Sequence, residues 1–158
     1  MPPLNHAVLS ASSAYRWLEC PPSALATADI QDETTIYAQE GSAAHEMAEY
    51  KIRWHLGEKD LAPPNIGNFN AEEIDRYTDS YAYYATDKIE TIRKICPDAI
   101  VMVEQRLDFS NYVKDGFGTG DLVIVADDVL QVIDFKYGKG VTVLAEHNPQ
   151  MMLYALGA

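Results

Sequence analysis

Asp121, Asp134 and Lys136 are the residues whose types and spacing most directly suggest chemistry. They lie in the stretch Gly116 to Gly140, GFGTGDLVIVADDVLQVIDFKYGKG, which reads as two apolar strands joined by a tight turn at Asp127-Asp128. Counting outward from a two-residue loop, Ala126 faces Val129, Val125 faces Leu130, and the ladder places Asp121 opposite Asp134. Opposed residues of an antiparallel pair project to one face, with Cβ atoms about 4.5–5.5 Å apart. Lys136 falls on that face too, because side chains alternate along a strand. Two facing carboxylates repel unless a cation or a shared proton lies between them. The hairpin is therefore expected to hold a metal ion. The plainer reading of Lys136 is an ion pair with Asp134 or Asp121.

The rest of the chain must position that hairpin. With 158 residues, 47% hydrophobic and 23% charged, it is long enough for a single domain with a real core. No apolar run approaches a membrane span, and MPPLNHAVLSASS lacks the basic segment and apolar core of a signal peptide. Cys20 and Cys96 stand far apart with no metal-binding spacing, as idle thiols of a reducing cytoplasm would. The 24 acidic against 12 basic residues, a formal charge of −12, disfavour tight non-specific binding of DNA by a broad basic face.

In chain order, Ser10 caps a short helix from Ala11 to about Leu18, stopped by Pro21-Pro22, with Tyr15 and Leu18 as its apolar edge. Asp29 to Thr35 reads as a loop. EGSAAHE, residues 40–46, opens a helix running to about His55, with Ala44, Ala48 and Ile52 inward. His45 adjoins that stripe; by itself it reads as a hydrogen-bonded core histidine, and as a ligand only where it meets the hairpin. Asn70 and Glu73 form a capping box for a long helix to about Lys94, whose buried stripe is Ile74, Tyr77, Tyr81, Ala85, Ile89 and Ile92. Its tyrosines read as core, with stacking on bases the alternative. Ile100 to Phe109 is a strand in which Glu104 is either solvated on an edge or set beside the metal. A short strand is expected over Val141 to Leu144. Asn148-Pro149 then starts a helix placing Gln150 and Tyr154 on one face. The expected fold is α/β: a small mixed sheet over residues 100–144, flanked by helices at 42–55, 71–94 and 149–157.

The ordered set His45, Gly120-x-Asp121 in the form Thr119-Gly120-Asp121, Asp134-Phe135-Lys136 and Gln150-x-x-x-Tyr154 resembles the PD-(D/E)XK nuclease superfamily, specifically its RecB-like exonuclease branch. LSASSAYRWLECPPS and EGSAAHE also resemble an uncharacterised phage and prophage family assigned to that superfamily. The resemblance spans nearly the whole chain. It implies a restriction-endonuclease-like core over residues 1–158, truncated at the C-terminus, and hydrolysis of DNA phosphodiesters in phage recombination or replication, in the host cytoplasm.

Such chemistry needs charge neutralisation and a nucleophilic water, both supplied by a divalent cation. His45, Asp121 and Asp134 are the expected ligands, with a backbone carbonyl of Phe135 added by the resemblance. Carboxylates with one imidazole and no thiolate suit magnesium or manganese. Lys136 would orient the attacking water or stabilise developing charge, and Glu104 would polarise water from the adjoining strand. Gln150 and Tyr154 would contact the nucleic-acid backbone or brace the site. Some RecB-like relatives hold an iron–sulfur cluster on one N-terminal and three C-terminal cysteines. Cys20 stands where the first would be, but the chain has no C-terminal cysteine group, so no cluster is expected in it. The competing reading is a non-catalytic module that keeps the nuclease fold and binds DNA or a partner protein. A metal-stabilised phage assembly protein is a third.

Overall fold

The computed structural model describes residues 7–27, 30, 35–138 and 142–158. Most of the expected 29–35 loop lies outside them. A single 3-10 turn, Ala11–Ser13, leads into α1, Ala14–Glu19. The buried side chains here are Ala11, Ala14 and Trp17, three residues apart. The Trp17 indole donates to the Ser10 carbonyl at 2.9 Å, which fixes that face inward. Tyr15 and Leu18 are consequently 74% and 54% exposed, the reverse of the expected apolar edge. After the proline pair comes one unforeseen helical turn, α2, Ser23–Ala26.

α3 spans Ile36–His55, starting earlier than its apolar stripe suggests because the Thr35 side chain caps it by accepting from the Ala38 amide. Ile36 and Tyr37 are exposed, so the first turn carries no inward periodicity. Ala44, Ala48 and Ile52 are buried as expected. α4, Ala71–Arg93, is capped by Asn70, whose side chain accepts from the Glu73 amide. Its inward face holds Ile74, Thr78, Tyr81, Ala82, Ala85, Ile89 and Ile92. Tyr77, expected inward, is 46% exposed and lies edge-on to Tyr137, while the smaller Thr78 takes the inner position. α3 and α4 are pinned by Lys51, whose ammonium donates to Thr78 Oγ1 at 2.9 Å, Asp75 Oδ1 at 3.0 Å and Asp79 Oδ1 at 2.6 Å. Together with the Asp75 carbonyl at 3.2 Å, these acceptors satisfy an ammonium that the helices largely cover.

Three strands follow: β1, Ile100–Asp108; β2, Phe117–Ala126; and β3, Val129–Ile133. They form a meander in the order β1-β2-β3, antiparallel at both pairings. The turn at Asp127-Asp128 sets the counted register, Ala126 against Val129 and Val125 against Leu130. The protein is thus α/β, with a small sheet flanked by helices. The sheet, expected to be mixed, is antiparallel throughout the described residues, because residues 142–144 join no ladder. Val141 lies outside the described residues.

α5, Pro149–Gly157, has the expected Asn148 cap, whose side chain accepts from the amides of Gln150 and Met151. One face of the sheet packs on α3 and α4 through Val103, Leu122 and Ile124, around Ile52, Ile74 and Ile89. The other packs on α1 and α5 through Leu107 and Val123, around Trp17, Leu153 and Tyr154. Each fully buried aliphatic side chain contributes about 1.5–3 kcal/mol. Among the described residues, no helix is long and apolar enough to cross a membrane.

Gly118 sets how closely α5 approaches β2. A Cβ there would lie 2.7 Å from the Tyr154 ring and 3.3 Å from the Ala11 Cβ. Gly118→Ala should therefore overpack this face at a cost of about 1–3 kcal/mol. Thermal melting should show a drop of several degrees; an unchanged midpoint would refute the close packing.

Candidate metal centre

The centre forms where the regular pleat of β1 and β2 breaks. Val103 pairs with Leu122 and Gln105 with Gly120, so Glu104 stands across from Asp121. Glu104 has a φ of 48°, a left-handed backbone that is rare for a non-glycine residue and costs of order 1–3 kcal/mol. Alternation reverses there. Val103 packs towards α3 and α4, whereas Leu107, an even number of residues on, packs towards α1 and α5. β2 reverses at Asp121 in step: Leu122 faces the first layer, while a Cβ on Gly120 would meet Leu107 and Val123 of the second. A strict period of two, applied to this strand from sequence, misses that reversal.

Asp121 is 9% exposed and both its oxygens are engaged. Oδ2 accepts from the Phe135 amide at 2.6 Å, and Oδ1 lies 3.4 Å from His45 Nδ1 on α3. One ligating atom each from His45, Glu104 and Asp121 lies within 4.8 Å of the others. The Phe135 side chain is buried beneath them, stacked on Tyr81 at 4.7 Å and tilted against the His45 ring at 5.3 Å. Its backbone amide, where the resemblance implied the carbonyl, takes part in building the site through Asp121.

The remaining expected residues form a second group. The Lys136 ammonium lies 2.6 Å from Asp134 Oδ2 and donates to Gln150 Oε1 at 3.3 Å. Gln150 Nε2 donates to Asp134 Oδ1 at 3.0 Å and approaches the Tyr154 hydroxyl at 3.1 Å. Asp134 thus has both oxygens occupied and stands outside the tight three-donor cluster, where Glu104 is found instead. β3 ends at Ile133, one residue short of the expected Asp121–Asp134 pairing, and the Asp121 bond to the Phe135 amide continues the contact. Lys136 is accordingly held by its side-chain partners and not by strand pairing. Gln150 and Tyr154 brace the site; Tyr154 is only 4% exposed.

The electrostatics are those of acids crowded in a low dielectric. Burial, then the charges of Asp121 and Glu49, push Glu104 up to about 7, with His45 opposing. Burial likewise raises Asp134, against the pull of Lys136. For His45, burial acts downward, but the hydrogen bond and charge of Asp121, helped by Glu104 and Asp134, win and raise it. The Tyr81 phenol is raised by burial and by the charges of Asp121, Asp134 and Glu104. Its hydroxyl is buried with no hydrogen-bond partner among the described residues. Sequence periodicity marks Tyr81 only as core; an orphaned hydroxyl beside an acid cluster has no sequence signal. The donor set fits a hard divalent cation: one imidazole nitrogen and two carboxylates at close range, with no thiolate among them.

This cluster ties stability to pH. Glu104, His45 and Asp134 all bind protons more tightly than their ordinary values, so the folded state holds more protons than the unfolded one. For Glu104, the contribution is complete below the ordinary value of 4.5 and is lost as pH rises through about 7. The melting temperature of metal-free protein should therefore fall between about pH 5 and about pH 8, and less steeply in Glu104→Gln. An equal slope in that variant would assign the effect to the general negative charge.

No solved structure matches the chain significantly. A family model described as "Protein of unknown function (DUF2800)" matches residues 6–158. With nearly its whole length matched, the chain belongs to the DUF2800 family.

Proposed function

We propose that the protein is a magnesium- or manganese-dependent deoxyribonuclease that hydrolyses phosphodiester bonds. The observation that carries this reading is the convergence of His45, Glu104 and Asp121 beside the Asp134–Lys136–Gln150 group. An acid cluster alone would suit many roles. A lysine clamped at its edge supplies positive charge where a phosphate gains negative charge.

His45, Glu104 and Asp121 would hold the cation, which supplies charge neutralisation at phosphate and a more acidic water. Asp134 and Gln150 keep the Lys136 ammonium in one place, ready for a phosphoryl oxygen. That preorganisation matters more than the charge itself, because a free lysine would have to be ordered during the reaction. The Tyr81 hydroxyl offers a further donor from the buried side, and Phe135 excludes water beneath the cluster. The finer reading, an exonuclease of phage recombination or replication working in the host cytoplasm, is supported by the motif resemblance.

The second reading is a non-catalytic module that keeps the nuclease fold and binds DNA or a partner protein; the net charge of −12 favours the partner protein. Incubation with linear and circular, single- and double-stranded DNA in manganese separates the two. The wild-type protein should cleave, and Lys136→Ala should be slower by at least roughly 100-fold. Undiminished cleavage in the variant would remove Lys136 from the mechanism; no cleavage by the wild type would favour the binding module. In calorimetry, Asp121→Asn should lose the manganese-binding heat, and unchanged binding would refute the metal centre.

A further inference from the structure

A cleft of about 680 Å³ opens directly from Lys136 and Gln150. It runs between the start of α1 and the segment preceding α5, lined along the way by Ser12, Tyr15, Thr142 and Leu144. Its volume falls in the range of about 300–1,000 Å³ that accepts small-molecule-sized ligands. Tyr15 is 74% exposed at this cleft because Ala11, Ala14 and Trp17 take the inward face of its helix. An aromatic ring that the core does not use therefore flanks a passage ending at the clamped lysine.

The charge in the cleft is sparse. Among its described lining residues Lys136 and Glu146 carry charge, and the His147 imidazole lies 3.6 Å from the Glu146 carboxylate. Lys136 is the lysine among those described residues, at the end nearest Asp134. Duplex DNA carries a negative charge every ~1.7 Å of its axis and is held chiefly by a basic face. This chain has 12 basic against 24 acidic residues. An unpaired strand has another means of attachment: its bases stack on exposed aromatics, and the stack tolerates any sequence. The Ser12 and Thr142 hydroxyls supply uncharged donors beside it.

We propose that this cleft seats an unpaired polynucleotide strand, a base stacked on Tyr15 and the backbone leading to Lys136; the assignment rests on the nuclease reading of the adjoining centre. Fluorescence anisotropy with a fluorescein-labelled ten-nucleotide oligothymidylate, in EDTA, tests it on the full chain. Tyr15→Ala should weaken binding by roughly tenfold or more, while Tyr15→Phe, which keeps the ring face, should bind like the wild type. Tyr83→Ala, an equally exposed ring on α4, should have no effect. Wild-type affinity in Tyr15→Ala, equal affinity for a matched duplex, or no binding by the wild type would each overturn the proposal. Hydrolysis of bis(p-nitrophenyl) phosphate in manganese, a substrate too small to need the cleft, reads the centre separately. There Lys136→Ala should be slower than the wild type, and Tyr83→Ala should match it. Tyr15-dependent binding by a protein that hydrolyses no phosphodiester would uphold the cleft and defeat the nuclease reading.

Discussion

The Asp121 carboxylate is the constraint on which the rest of the centre depends. It is nearly buried, so its charge must be met by partners or relinquished. One oxygen holds the Phe135 amide and the other faces the His45 imidazole. A single side chain on β2 thereby ties the chain beyond β3 to α3. A hydrogen bond of the Phe135 kind, made to a carboxylate, contributes about 1.5–3 kcal/mol against the cost of burying it. The bond to its amide seats Phe135 against Tyr81, which closes the floor under the acids.

Much of this arrangement was legible in the residues themselves. The two-residue turn at Asp127-Asp128 determines the hairpin register by counting alone. Asn70 and Asn148 announce their helices because their side chains satisfy amides that the first turn leaves unpaired. The failures have equally local causes. Tyr15 and Leu18 outrank Ala14 in size, but the core had room for alanines beside one tryptophan, and Trp17 turned the helix. On α4, Thr78 lies deeper than Tyr77 because its hydroxyl is satisfied by the Ile74 carbonyl at 2.8 Å. The start of α3 was missed because its first turn is exposed and shows no stripe.

At the site, Lys136 stood out by type and spacing, whereas His45 and Gln150 came in through the motif resemblance; the fold sets His45 against Asp121 and Gln150 against Lys136. The division of labour between the carboxylates was not legible. Which acid joins the histidine depends on one backbone dihedral, at Glu104, and a glutamate in the left-handed region has no local sequence signature. Such a conformation persists only where the surrounding pairings, Val103 with Leu122 and Gln105 with Gly120, leave it no alternative.

The two layers that grip the sheet differ in how the chain supplies them. α3 and α4 are neighbours in sequence and meet the meander that follows them. The opposite layer joins Ala11 and Trp17 to Leu153 and Tyr154, segments separated by most of the chain. His45, Glu104 and Asp121 gather against the first layer, which the chain builds from consecutive elements. Gln150, one of the two anchors of Lys136, belongs to the second layer, so the ammonium lacks that anchor until α5 docks beside α1. The acids are thus brought together by elements that follow one another, and the clamp by segments whose meeting closes the longest loop in the fold.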